Sequence, residues 1–140
     1  MNDSAIALRG TVVSGLGEGA YFMGLGWVRD AVRQILGFVP YPGTLNVRLA
    51  DAEARRAWRD IRARPVQRLA PPLPDTCGGW LIPLVVAPDV RAAVVVPDVT
   101  RHPDDVLEVI ARVHVRSRLG LEEDDRVTLL VGSLPDGGDS

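Results

Sequence analysis

The sequence predicts a mainly β fold, a small barrel with short inserted helices. Two observations predict it. Six or so short segments carry strand signals, while few stretches carry a helical period. The strands do not alternate regularly with helices, which argues against a parallel βαβ sheet. At 140 residues and about 150 residues per domain, one domain is expected over residues 1–132, followed by a flexible tail over 133–140.

The elements follow in order. Ala5 to Val13 reads as a strand, with Ile6, Leu8, Gly10 and Val12 on one face. Three glycines then fall within Gly15-Leu16-Gly17-Glu18-Gly19. Trp27 to Leu36 places Trp27, Val28, Ala31, Val32, Ile35 and Leu36 on one helical stripe, and Gly37 is its stop. Pro40-Tyr41-Pro42-Gly43 is turn chemistry. Leu45, Val47 and Leu49 alternate with Asn46 and Arg48 as a half-buried strand.

Asp51 to Arg68 is arginine-rich and reads as a short solvated helix ended by Pro65. Ala70 to Gly79 is a loop. Trp80 to Ala87 and Arg91 to Val96 form a hairpin around Pro88-Asp89. Asp104 to Ile110 is expected to be a short helix with Val106, Leu107 and Ile110 inward. Val113 to Val115 is a candidate strand, Arg116 to Leu119 a helical turn stopped by Gly120, and Arg126 to Val131 the last strand. Trp27, Trp58 and Trp80 are assigned to the core.

Composition removes whole classes of function. The charge balance of −2 and a pI near 5.6 do not suit a protein that coats nucleic acid. No apolar run reaches the ~18 residues of a membrane span, and the first ten residues lack signal-peptide character. A single cysteine, Cys77, closes no internal disulfide. A cytoplasmic enzyme or binding module is the expectation. All 16 basic residues are arginine. P-loop kinase, protein kinase and Schiff-base mechanisms each use a lysine, so they are excluded.

Four constellations could carry chemistry. The loop Gly15 to Gly19 can close backbone N–H groups on phosphate oxygens, or it can simply turn a barrel corner. Thr44 and Asn46 are two residues apart and share a face in a strand. Their neutral oxygens suit magnesium when phosphates and water complete the octahedron, or they serve turn capping. Val96 to Pro103, followed by Glu108, gathers Asp98, Thr100, Arg101 and His102 near one loop, or is a solvated loop and the first turn of a helix, with His102 at the surface. His114-Val115-Arg116, with Arg118, could meet phosphates or a base, or be solvated charge.

Taken in order, these segments resemble the archaeal CTP-dependent riboflavin kinase family. The resemblance runs from about Gly10 to Leu130. It is carried by Gly10-Thr11-Val12-Val13-Ser14-Gly15-Leu16-Gly17-Glu18-Gly19 with Tyr21-Phe22, and by Leu36 through Asn46. Val94-Val95-Val96-Pro97, Asp105 through Ala111 and Arg116 through Leu121 complete it. It implies a six-stranded barrel of the cradle-loop type. It implies transfer of the γ-phosphoryl group of CTP to the 5′-hydroxyl of riboflavin, giving FMN and CDP.

By the same resemblance, nucleotide contacts fall on Gly15, Leu16, Gly17, Glu18, Gly19 and Ala20, and on Val113, His114, Val115 and Arg116. Mg2+ falls on Thr44 and Asn46, and flavin contacts on Thr100 and Glu108. Glu108 is the expected catalytic residue, orienting the ribityl chain and accepting the 5′-hydroxyl proton, with Asp98 or no protein base as the alternative. The family commonly has a basic residue at Ala20, a lysine at His114 and a proline at Arg112. Arg112, Arg116 and Arg118 are the candidate replacements for the missing charge. Two rival readings are a non-catalytic flavin- or nucleotide-binding module and a DNA-binding barrel regulator, the latter disfavoured by the acidic pI.

Overall fold

Strand pairing across the whole chain sets the architecture. The computed structural model describes residues 6–14, 22–64, 67–72, 78–98 and 105–132. The elements are β1 (Ile6–Val13), α1 (Gly26–Leu36), β2 (Leu45–Leu49), α2 (Ala52–Arg62), β3 (Gln67–Leu69), β4 (Gly79–Val86), β5 (Val90–Pro97), β6 (Val106–Ala111), α3 (Val115–Leu119) and β7 (Arg126–Val131). Six strands form a ring in the order β4-β5-β6-β2-β1-β7, closed by β4 against β7. All pairings are antiparallel. The mainly β, six-stranded barrel expected from sequence is present.

Period-two alternation fills the barrel. Leu8 and Val12 of β1, Leu45, Val47 and Leu49 of β2, and Leu107, Val109 and Ala111 of β6 belong to one interior cluster. Val127, Leu129 and Val131 complete it from β7. Burying each of these leucine and valine side chains stabilises by roughly 1.5–3 kcal/mol. Gly10 lies where β1 meets β2. A Cβ there would stand 2.5 Å from the Arg48 carbonyl oxygen and 2.6 Å from Val47 Cγ1. Only glycine lets the two strands come this close.

The outer wall has its own core. Val28 and Val32 of α1, with Phe22 and Met23, pack on Leu81, Ala93, Val95 and Ile110 from the opposite face of the strands. Gly37 ends α1 at φ 80°, and its N–H bonds the Arg33 carbonyl at 2.8 Å.

Four expectations are corrected. Asp104–Ile110 is not a helix: residues 106–111 are β6, between β2 and β5. Both of its faces are covered, so its apolar positions run continuously around Glu108 and imitate a helical stripe. Val113–Val115 is not a strand: Val115 opens α3 and enters the interior cluster. The arginine-rich helix is not merely solvated. Asp51 caps α2 by accepting from the Ala54 N–H at 2.8 Å. Ala54, Trp58 and Ile61, at helical spacing, then join the barrel interior. The same stretch contains β3, which pairs with the first residues of β4. Finally, Trp80 is exposed rather than core, with the Arg68 guanidinium 4.8 Å over its ring. The tail over 133–140 lies outside the described residues.

Candidate active site

Antiparallel register assembles the site on the outer wall. Asn46 of β2 and Glu108 of β6 are direct partners, so their side chains stand side by side on one face. Interior residues flank both, which turns these two outward. Val95 of β5 flanks Glu108 on its other side. Glu108 is 3% exposed, the one buried charged residue among those described. The Asn46 Oδ1 is buried and accepts no hydrogen bond among the described residues. Leaving such an acceptor unmet costs about 1–3 kcal/mol.

Thr44 immediately precedes β2 and lines a hollow of about 190 Å³ with Tyr41, Val113, His114, Val115 and Arg116. Thr44, expected from sequence to hold metal, thus shares one hollow with Val113, His114, Val115 and Arg116, expected to meet the nucleotide, while Asn46 does not line it. The Tyr41 N–H bonds the Ala111 carbonyl at 2.7 Å, and the Tyr41 and His114 rings stand 5.0 Å apart at 37°. His114 Nδ1 and Ser117 Oγ share a 2.6 Å hydrogen bond. Of the three arginines weighed as replacement charges, Arg116 lines this hollow. Arg112 and Arg118 line a different one.

Glu123 is a residue that sequence reasoning missed. Arg116 Nη2 donates to its Oε1 at 3.1 Å. The Ser14 N–H donates to Oε2 at 3.2 Å, and the Ser14 hydroxyl to Oε1 at 3.3 Å. One carboxylate therefore ties Arg116 to the residue from which the glycine segment departs. Its local signal, Glu122-Glu123-Asp124-Asp125, is only a charge run. Nothing local shows that it reaches Ser14, 109 positions away.

Gly15, Leu16, Gly17, Glu18, Gly19, Ala20 and Thr100 lie outside the described residues. Asp98, the alternative base, is already engaged. Arg68 donates to both its oxygens, at 2.7 and 2.8 Å. The Arg68 hydrogen bond, chiefly, holds the Asp98 carboxyl below its ordinary value of 3.8, against the opposing effect of burial. A carboxylate so held is a weak base.

The same depression makes a prediction about stability. A lowered folded-state pKa adds stability that is complete above 3.8 and is lost as pH falls through the folded value. Asp98→Asn is expected to be modestly less stable than the parent at pH 7, because the pair is partly exposed. The gap should close as pH drops below 3.8. Denaturant unfolding at stepped pH checks this, and a gap that persists at acid pH contradicts it.

The fold and site define a closed antiparallel barrel with a hollow at the start of β2 and a buried carboxylate on β6. Comparison with known proteins takes the next step. Residues 12–131 match the family model CTP-dep_RFKase, described as a domain of unknown function, DUF120. The chain belongs to this CTP-dependent riboflavin kinase family. A riboflavin kinase of Pyrobaculum islandicum is 43% identical over 131 residues, covering 91% of this chain and 61% of that protein. One of Methanococcoides burtonii is 37% identical over 136 residues, covering 93% and 59%. One of Aeropyrum pernix is 38% identical over 120 residues, covering 84% and 89%. The chain thus spans about three fifths of the first two relatives' length. Among the described residues no helix is long and apolar enough to cross a membrane.

Proposed function

We propose that the chain is a riboflavin kinase. It moves the γ-phosphoryl group of CTP to the 5′-hydroxyl of riboflavin and yields FMN and CDP. The observation that supports this most is the pairing of buried Glu108 with Asn46, in a barrel that also carries a hollow lined by Thr44, His114 and Arg116. Its context is a chain of the riboflavin kinase family. CTP as donor follows the family's name. The barrel over residues 1–132 is the catalytic unit in this reading, and the cytoplasm its setting.

Phosphoryl transfer needs positioning and charge neutralisation more than covalent help. Among the described residues Arg116 is the arginine that lines the hollow, and its fork suits phosphate oxygens. Glu123 holds that fork at the hollow until a nucleotide competes for it. The segment Gly15–Ala20 supplies backbone N–H donors to the phosphates. His114 and Tyr41 present ring faces for a base. Thr100 contacts the flavin. Glu108 orients the ribityl chain and accepts the proton of the 5′-hydroxyl.

The donor set fits a magnesium ion, since the unmet Asn46 Oδ1 is a neutral oxygen two residues from Thr44. Thr44 and Asn46 would hold the ion. Bound there, magnesium would neutralise phosphate charge.

The test is direct. Purified protein is incubated with riboflavin, magnesium and each of CTP, ATP, GTP and UTP, and FMN is read by chromatography. FMN is expected chiefly with CTP. The Thr44→Ala/Asn46→Ala variant is expected to lose at least about 100-fold in rate, the scale of removing charge stabilisation from a transferring phosphoryl group. No FMN with any nucleotide, from folded protein that still binds flavin, would instead favour a binding module. Full activity in the double variant removes the metal assignment.

A further inference from the structure

A second hollow, of about 200 Å³, opens where the β4–β5 turn, the end of β6 and α3 meet. Arg91 enters it from β5, Arg112 from the residue after β6, and Arg118 from α3. These three cations come from three separate elements. Among the described residues none of them makes an ion pair; the arginines that do are Arg48, Arg68 and Arg116. Asp89 also lines the hollow, and it pairs with none of the three. Phe38 and Val113 give it an apolar side.

Three guanidinium groups around one hollow repel one another, and Asp89, the one carboxylate lining it among the described residues, leaves the hollow net positive. Each guanidinium is a planar fork of N–H donors. Forks approaching from different elements match an acceptor with oxygens in several directions better than a flat carboxylate. We propose that this hollow is a second anion site that takes a phosphate group, separate from the hollow lined by Thr44 and Arg116. Its place in the molecule gives it a neighbour to influence. Val113 lines both hollows, and α3 presents Arg116 to one and Arg118 to the other. The inference does not depend on the phosphoryl-transfer reading, because it concerns binding alone.

The experiment is calorimetric titration of the full chain with inorganic phosphate and, separately, with glycerol 3-phosphate. Both are run with saturating CTP and magnesium and no riboflavin. The two ligands distinguish a free phosphate from the phosphate of a small ester. Saturable binding of either is expected, weakened at least tenfold in Arg91→Gln/Arg118→Gln and retained in Arg116→Gln. Arg91→Lys/Arg118→Lys, which keeps the charge but loses the forks, is expected to fall between parent and glutamine variant. Four results would overturn the proposal. They are no binding, binding untouched by Arg91→Gln/Arg118→Gln, binding removed by Arg116→Gln, or displacement of phosphate by further CTP. Unchanged thermal unfolding of the variants separates a lost site from a lost fold.

Discussion

Glu108→Gln is expected to lower kcat for riboflavin phosphorylation by about 10²- to 10⁴-fold, the range for removing a positioned general base. The substitution keeps the shape of the side chain and a carbonyl oxygen. At a position 3% exposed, facing Asn46 and Val95, it leaves packing nearly unchanged. Its thermal unfolding should therefore stay close to that of the parent protein. Steady-state kinetics separate the two jobs assigned to Glu108. A fall in kcat with KM held marks proton acceptance, whereas a rise in KM for riboflavin with kcat held marks orientation alone. Parent-like kinetics in both parameters would remove Glu108 from the reaction.

Trp58→Ala is expected to cost about 3–5 kcal/mol of folding stability, as for other buried tryptophans cut to alanine. Trp58 is 3% exposed and stands between Ala54 and Ile61 on the face of α2 that enters the barrel interior. The Arg62 guanidinium lies 5.9 Å from the ring on the outer side, a contact too exposed to compensate. Against a usual total of 5–15 kcal/mol, a loss on this scale should lower Tm by about 10 °C or more. Urea unfolding read by circular dichroism measures it. A loss under about 1 kcal/mol would mean that α2 does not plug the barrel.

These two residues mark where the sequence could be read and where it could not. The barrel was legible because most of its strands have one face on the interior, and Leu45, Val47 and Leu49 show the alternation openly. α1 was legible for a similar reason, with an apolar stripe and a glycine stop at Gly37. β6 was not, because packing on both faces erases alternation. Its one acid, Glu108, stood where a helix would have shown a polar face. α2 was read as solvated because its arginines outnumber its three buried residues, and charge count hides a narrow apolar seam. β3 was too short to carry a pattern at all.

The site divides in the same way. Thr44, Asn46, Glu108 and the Val113–Arg116 segment were assigned roles through resemblance to a family. The structure brings Thr44 together with His114 and Arg116, and Asn46 together with Glu108. Glu123 and Tyr41 were not singled out. Tyr41 read as turn chemistry, and Glu123 acts across a sequence distance that no local pattern reports.

The pairing of β1 with β7, which sets Ile6 opposite Val131 and Thr11 opposite Arg126, has a consequence for the order of events during synthesis. β1, the first of the barrel strands in chain order, cannot find one of its two neighbours until the last barrel strand has followed it. Until then one edge of β1 stays open, and so does the Val85–Val86 end of β4, which β7 also meets. Contacts between such distant residues are slow to form, and unpaired edges are where chains stick to one another. For this chain the hazardous interval is the one before β7 emerges. A truncation that removes β7 would leave those two edges without the strand that closes the ring.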